Sequence, residues 1–166
     1  MTQKLKISAI ELLPERLLVG YCSILNSNIV SYYYNYVWTK FMERIYEIPG
    51  LQDRELYGVC TNLQFNGLFE YWTAVAVEPG LEAPADLTPI PLGAGTYGSR
   101  VDKPARPLPM MYGRLGQYWQ TPDYYVLNWK LPCYELYKPD WYNRAVVKIC
   151  IPLHLNFDAS RRLSLG

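Results

Sequence analysis

Hydrophobic and polar residues alternate over several short stretches of the chain, which is the pattern of β-strands. In the first half, two pairs of alternating stretches are each joined by turn residues, Pro14-Glu15 and Asn66-Gly67. Asn-Gly strongly favours a hairpin turn. The four predicted strands are 4–13, 16–25, 56–63 and 69–77.

Between these two hairpins the apolar spacing changes to that of a helix. The apolar residues recur every three or four positions from 29 to 48, and Pro49-Gly50 ends the pattern. Such spacing predicts one amphipathic helix over this range. The residues that define it are Val37, Trp38, Phe41, Ile45 and Ile48.

The second half gives a similar pattern between two proline-rich connections. Residues 79–91 and 104–109 are rich in proline and predict linkers. The elements predicted around them are a strand at 92–101, a helix at 109–120, a strand at 125–137 bent at Pro132, and a last strand at 145–153.

An offset of 73 residues aligns the two halves and places Cys60 on Cys133 and Pro79 on Pro152. The sequence therefore predicts an α+β fold, a duplicated strand-strand-helix-strand-strand module that forms a mostly antiparallel sheet with two helices. We expect a single domain over 1–153, with repeats at about 4–79 and 86–153 and a C-terminal tail at 154–166.

One predicted strand carries a carboxylate among apolar and aromatic neighbours. In the stretch 131–138, alternation places Glu135 on one face with Cys133 and Tyr137. A buried carboxylate without a partner costs several kcal/mol, so a partner is expected. One hypothesis is a cationic or hydrogen-bonding ligand; the alternatives are a distant Lys or Arg, or a hydrated strand edge.

Composition removes several classes of function. The net charge is +1 with no block of like charges, which argues against direct nucleic acid binding. The four cysteines form no CxxC pair and His154 is the single histidine, so we expect no metal site, no cofactor and no catalytic triad. Without a signal peptide or a membrane-length apolar run, a cytoplasmic location is expected.

The chain is rich in aromatic residues, with 16 Tyr and 5 Trp. Aromatic rings attract cations by about 0.5–2 kcal/mol each, and a bulky delocalised cation loses little hydration on entry. The predicted pocket combines Glu135 with Tyr137 on its own strand face. The other candidate walls are Tyr97, Tyr112, Trp72 and Trp119, on elements expected to flank that strand.

Five motifs stand out in order along the chain. They are Tyr-Gly-Val-Cys (57–60), Phe-Glu-Tyr-Trp-Thr-Ala-Val-Ala-Val (69–77), Ile-Pro-Leu-Gly-Ala-Gly-Thr-Tyr (90–97), Tyr-Glu-Leu-Tyr (134–137) and Val-Lys-Ile-Cys-Ile-Pro-Leu (147–153). With these motifs the sequence resembles the GyrI-like, AraC/Rob-type effector-binding domain. The resemblance implies a duplicated α+β fold with an effector pocket between its halves, in which Glu135 meets cationic, lipophilic ligands. Residues 120–131 depart from the family pattern, and no helix-turn-helix segment precedes the domain, so a stand-alone module is expected.

The prediction from sequence is therefore a binding module for hydrophobic, cationic small molecules, with no catalytic residue assigned. Two alternatives stay open: a protein-interaction module resembling gyrase inhibitors, and a small hydrolase that uses the same glutamate with a tyrosine. Macromolecular partners would be a second copy of the chain or a separate regulatory protein.

Overall fold

The alternating stretches form strands of an antiparallel sheet. A computed structural model describes residues 4–26, 30–49, 51–62, 64, 66–102, 119–137 and 147–157. The strands are β1 (Leu5–Lys6), β2 (Ala9–Leu13), β3 (Arg16–Asn26), β4 (Leu51–Thr61), β5 (Leu68–Val77), β6 (Thr88–Leu92), β7 (Gly95–Asp102), β8 (Trp119–Gln120), β9 (Tyr125–Leu127), β10 (Cys133–Tyr137) and β11 (Val147–Leu155). The helices are α1 (Val30–Met42) and a short 3-10 helix (Ile45–Glu47).

The strand order is symmetric about the pair β4–β10. The sheet runs β2-β7-β11-β10-β4-β5-β3-β6, and β9 extends it by pairing with the end of β11. Every pairing in this sheet is antiparallel, whereas β1 and β8 form a separate parallel pair. Strands of the first half thus occupy one side of the centre and strands of the second half the other, with β2 and β6 exchanged between them.

Helix α1 covers one face of the sheet, which we call the helix face. Val37 and Phe41 are buried, and Ile45 and Ile48 continue their apolar stripe after the helix ends. Spacing of three and four residues brings these side chains to one side of the helix, as the sequence predicts. They pack on Val19, Leu56 and Val75 from three neighbouring strands.

Three predictions for the second half need correction. Strand β6 takes up the end of the predicted linker 79–91 and continues to Leu92, because an edge strand tolerates Pro89 and Pro91. The predicted strand 125–137 is divided into β9 and β10 by the intervening turn. Trp119 and Gln120, the end of the predicted second helix, are strand β8.

The duplication and the second helix stay predictions, because 103–118 lie outside the described residues. What the structure supports is a mostly antiparallel sheet with α1 on one face. No helix in the described ranges is long and apolar enough to cross a membrane.

Candidate ligand-binding site

Glu135 lies at the centre of the sheet with its side chain on the helix face. Its strand β10 is flanked by β4 and β11, which place Gly58 and Ile149 directly beside it. Glu135 has 0% exposure and is one of the largest fully buried side chains. The sequence prediction of a buried carboxylate on this strand is therefore confirmed in position.

Two tyrosine hydroxyls donate hydrogen bonds to this carboxylate. Tyr71 Oη, from strand β5, donates to Glu135 Oε1, and Tyr137 Oη lies 3.2 Å from the same oxygen. The indole Nε1 of Trp38 on α1 donates to Tyr71 Oη at 3.0 Å. A chain of hydrogen bonds thus runs from the helix through β5 to the carboxylate, which offsets part of the cost of its burial.

The same aromatic side chains enclose the carboxylate in edge-to-face contacts. The Trp38 ring lies 5.5 Å from that of Tyr137 and 6.4 Å from that of Tyr71, with interplanar angles of 76° and 72°. Phe69 adds a further perpendicular contact to Tyr71 at 6.5 Å. Edge-to-face packing of this kind stabilises aromatic clusters by about 0.5–1.5 kcal/mol per pair.

Gly58 provides the space that the carboxylate occupies. A Cβ at this position would lie 2.7 Å from Glu135 Cγ, and closer still to Glu135 Oε1 and to Tyr71 Oη. Any side chain larger than the hydrogen atom of glycine would therefore displace these neighbours. Gly58, in the motif at 57–60, therefore leaves the space that the side chains of Glu135 and Tyr71 occupy.

Tyr97 and Trp72 lie on the face of the sheet opposite to Glu135. Tyr97 Oη donates to the carbonyl oxygen of Pro132 at 3.2 Å, and its ring packs on Tyr134 with centroids 5.2 Å apart. Tyr134 precedes Glu135 on the same strand, so strand alternation directs it to the other face. Trp72 follows Tyr71 in the same way and donates from Nε1 to Thr61 Oγ1 at 3.1 Å.

Trp119 lies on the helix face, as Glu135 does. It is 2% exposed and belongs to the buried cluster that contains Tyr71, Cys133 and Ile149. Tyr112, the remaining predicted wall, lies outside the described residues. Of the six predicted residues, the structure therefore brings Glu135 and Tyr137 into direct contact and places Trp119 nearby.

Sequence analysis missed Tyr71, Trp38 and Gly58. Tyr71 is 64 positions from Glu135 and Trp38 lies on a different element, so only the strand order brings them together. The available signal for Tyr71 was its motif at 69–77 and its alternation with Trp72. That signal identifies two faces of β5 without saying which face meets Glu135.

The surroundings of Glu135 are apolar and keep nearby thiols protonated. Burial raises the pKa of the Cys60 thiol well above its ordinary value, and the Glu135 charge raises it further. Burial likewise raises the pKa of Cys133. Among the described residues, no three His, Cys, Asp or Glu side chains cluster in a way that could hold a metal ion.

Comparison with known structures identifies the fold. The structure of SAV2435 bound to tetraphenylphosphonium is 17% identical, with a TM-score of 0.61, and the match covers 88% of this chain and 93% of that one. The EcmrR C-terminal domain is 18% identical, with a TM-score of 0.61 and coverage of 89% and 97%. EcmrR in a DNA complex is also 18% identical, with a TM-score of 0.62 and coverage of 89% of this chain and 57% of that one. At these identities the likeness establishes the fold alone.

The comparison of sequences identifies the family. No significant match to a curated protein is found. The family model of the GyrI-like small molecule binding domain, however, matches residues 8–154, nearly the whole chain. The match includes every element that positions Glu135, Tyr71, Tyr137 and Trp38. The chain belongs to the family of GyrI-like small molecule binding domains.

Proposed function

We propose that this domain binds lipophilic, cationic small molecules with Glu135 as the countercharge. The observation that carries the proposal is a fully buried carboxylate that receives hydrogen bonds from two neutral tyrosine hydroxyls. A bound cation would be attracted to this carboxylate in a medium of low dielectric constant, where attraction between opposite charges is strong.

The aromatic cluster favours a delocalised cation over a compact ammonium. Trp38, Tyr71 and Tyr137 present ring faces and edges around the carboxylate. A lipophilic cation is weakly hydrated, so its transfer into this cluster combines apolar burial with attraction to the rings. The structure of the relative SAV2435 in complex with tetraphenylphosphonium supports the same ligand class for this chain.

Ligand contact with Glu135 requires a covering side chain to move, because the carboxylate has no exposed surface. Tyr137 is half-buried and Trp38 lies on the helix that covers this face, so these are the side chains that we expect to move. After this movement, Glu135 would accept hydrogen bonds from Tyr71 and Tyr137 and also make an electrostatic contact with the ligand.

The test is isothermal titration with tetraphenylphosphonium, with neutral triphenylphosphine oxide and anionic tetraphenylborate as controls for charge. We expect saturable binding of the cation alone, weakened about tenfold or more in Glu135→Gln, which corresponds to about 1.4 kcal/mol. Glu70→Gln is the matched control, because Glu70 is bonded to Thr61 on the neighbouring strand. Equal binding of the cation and the neutral compound, or equal loss in both variants, would contradict the proposal.

A further inference from the structure

A cleft outside the Glu135 site is lined by residues of two small strand pairs, β1–β8 and β9–β11. Its volume is about 630 Å³, and its lining includes Lys4, Trp119, Leu127, Trp129, His154 and Asn156. This volume falls in the range of about 300–1,000 Å³ that small-molecule sites occupy.

Strand pairing brings the lining residues together from four parts of the chain. The parallel pair β1–β8 sets Leu5 opposite Trp119, and Lys4, the residue before Leu5, lines the cleft together with Trp119. The antiparallel pair β9–β11 sets Val126 opposite His154 and forms the facing wall. These two pairings place side chains with hydrogen-bond donors at one end of the molecule.

The polar character of the cleft is opposite to that of the Glu135 site. No aspartate or glutamate is among the described residues that line it, whereas Lys4 supplies an ammonium group and His154 an imidazole. Lysine carries three donors and no acceptor, and Asn156 offers an amide. A ligand matched to this lining would carry a negative charge and hydrogen-bond acceptors.

Trp119 provides a buried donor in need of an acceptor. The side chain is 2% exposed, yet its Nε1 has no acceptor within hydrogen-bond distance in the part of the chain that the structure describes. An indole N–H is a donor only, and leaving it unsatisfied in the interior costs free energy. Because Nε1 itself has almost no exposed surface, an acceptor on a ligand in this cleft would remove that cost once the indole shifts toward the cleft.

Trp129 provides an aromatic surface in the same cleft. It is 67% exposed, so a large flat ring system faces solvent beside the donors. A planar aromatic ligand would bury this ring and gain a stacking contact. The cleft therefore combines a ring surface with a cation and an unsatisfied N–H.

We propose that this cleft binds a small aromatic carboxylate, with the ring against Trp129 and the carboxylate accepting hydrogen bonds from Lys4 Nζ and Trp119 Nε1. The site is separate from the Glu135 site, takes ligands of the opposite charge, and does not depend on the function proposed for Glu135.

The test is isothermal titration of the full chain with naphthoate, with neutral naphthamide as the matched control ligand. We expect saturable naphthoate binding that Lys4→Gln and Trp129→Ala each weaken by about fivefold or more, since each removes one of the recognised groups. Lys130→Gln is the matched control variant, because Lys130 is also exposed but lies outside this cleft. Glu135→Gln should leave naphthoate binding unchanged, which separates this site from the cation site.

A nuclear magnetic resonance measurement tests the buried donor without altering it. The indole N–H resonance of Trp119, identified by its loss in Trp119→Phe, should move downfield as naphthoate saturates the protein, because a charge-assisted hydrogen bond forms there. Equal affinity for naphthoate and naphthamide, equal effects of Lys4→Gln and Lys130→Gln, or an unmoved Trp119 resonance would each overturn the proposal.

Discussion

At the scale of single residues, the site depends on how the Glu135 carboxylate is packed and hydrogen-bonded among aromatic rings. Both hydroxyls reach the same atom, Glu135 Oε1, from strand β5 and from the next residue on the same face of β10. A glutamine at 135 would keep an oxygen acceptor of the same shape while it removes the charge. This is why Glu135→Gln, rather than a truncation to alanine, separates electrostatic recognition from packing.

Gly58→Ala should disrupt the packing of Glu135 and Tyr71 beside this position. The added methyl group would overlap with Glu135 and with the Tyr71 hydroxyl, and overpacking of this kind costs about 1–3 kcal/mol. We expect a lower free energy of unfolding in urea and weaker tetraphenylphosphonium binding. Gly93→Ala is the matched control, since its Cβ would meet Leu131 at 3.8 Å, an ordinary contact. Equal stability of the two variants would contradict this prediction, because it would mean that the backbone shifts at Gly58 to accommodate the methyl group.

At the scale of elements, the sequence pattern predicts the strands whose two faces differ. The predicted strands 16–25 and 69–77 agree closely with β3 and β5. The hairpin predicted between 4–13 and 16–25 is wrong, because β2 pairs with β7 whereas β3 pairs with β5 and β6. Strand β6 was missed because Pro89 and Pro91 are typical of loops, and their tolerance depends on the edge position. Edge position is a property of the whole sheet and has no local signal.

The residues of the candidate site also differ in whether the local sequence predicts that they lie together. Glu135 and Tyr137 share one strand face two positions apart, so alternation alone associates them. Tyr71 reaches them only because β5 pairs with β4 and β4 with β10. Tyr97 and Trp72 were assigned to the site because their elements flank it, but the register turns both side chains to the opposite face. Register follows from long-range pairing, which the local sequence does not specify.

The edge strand β2 gives a prediction on pH. The carboxylate of Glu11 pairs with Lys148 Nζ of β11 at 2.7 Å, across the intervening strand β7. The hydrogen bond from Lys148, followed by that from Ser99, lowers the pKa of Glu11 below its ordinary value. A lowered pKa in the folded state means that stability is gained above the unfolded-state pKa and lost as pH falls through the folded-state pKa.

We therefore expect Glu11→Gln to remove part of the acid sensitivity of the fold. Urea unfolding should show wild type more stable than Glu11→Gln by about 0.2–1 kcal/mol at neutral pH, a small value because solvent screens the pair. This difference should begin to shrink as the pH falls through the unfolded-state pKa of glutamate, about 4.3, and vanish below the lowered folded-state pKa. Glu15→Gln, at an exposed position in the turn after β2, serves as the control. A difference that persists in acid would assign the effect of Glu11 to packing.

At the scale of the whole molecule, the two halves of the chain meet at the β4–β10 pair. Cys60 lies directly opposite Cys133 in this pair, on the helix face beside Gly58 and Glu135. The two cysteines are the pair that the 73-residue offset aligns, so this alignment coincides with the centre of the symmetric strand order. Exposure of these thiols requires the central strands to separate, which makes them reporters of global opening.

Thiol reactivity should therefore measure the integrity of this centre. Cys60 and Cys133 are 1% and 3% exposed, and burial raises the pKa of both thiols, while burial raises the pKa of Cys150 to about 12. Only the thiolate reacts, so modification by DTNB at about pH 8 should be fast at the exposed Cys22 alone. The three buried thiols should react together, at a rate that rises with urea as the whole sheet opens. In Cys22→Ser the fast phase should disappear. Fast modification of Cys60 or Cys133 in that variant would mean that the centre opens locally, beside Glu135, and would identify a route by which a ligand reaches the carboxylate.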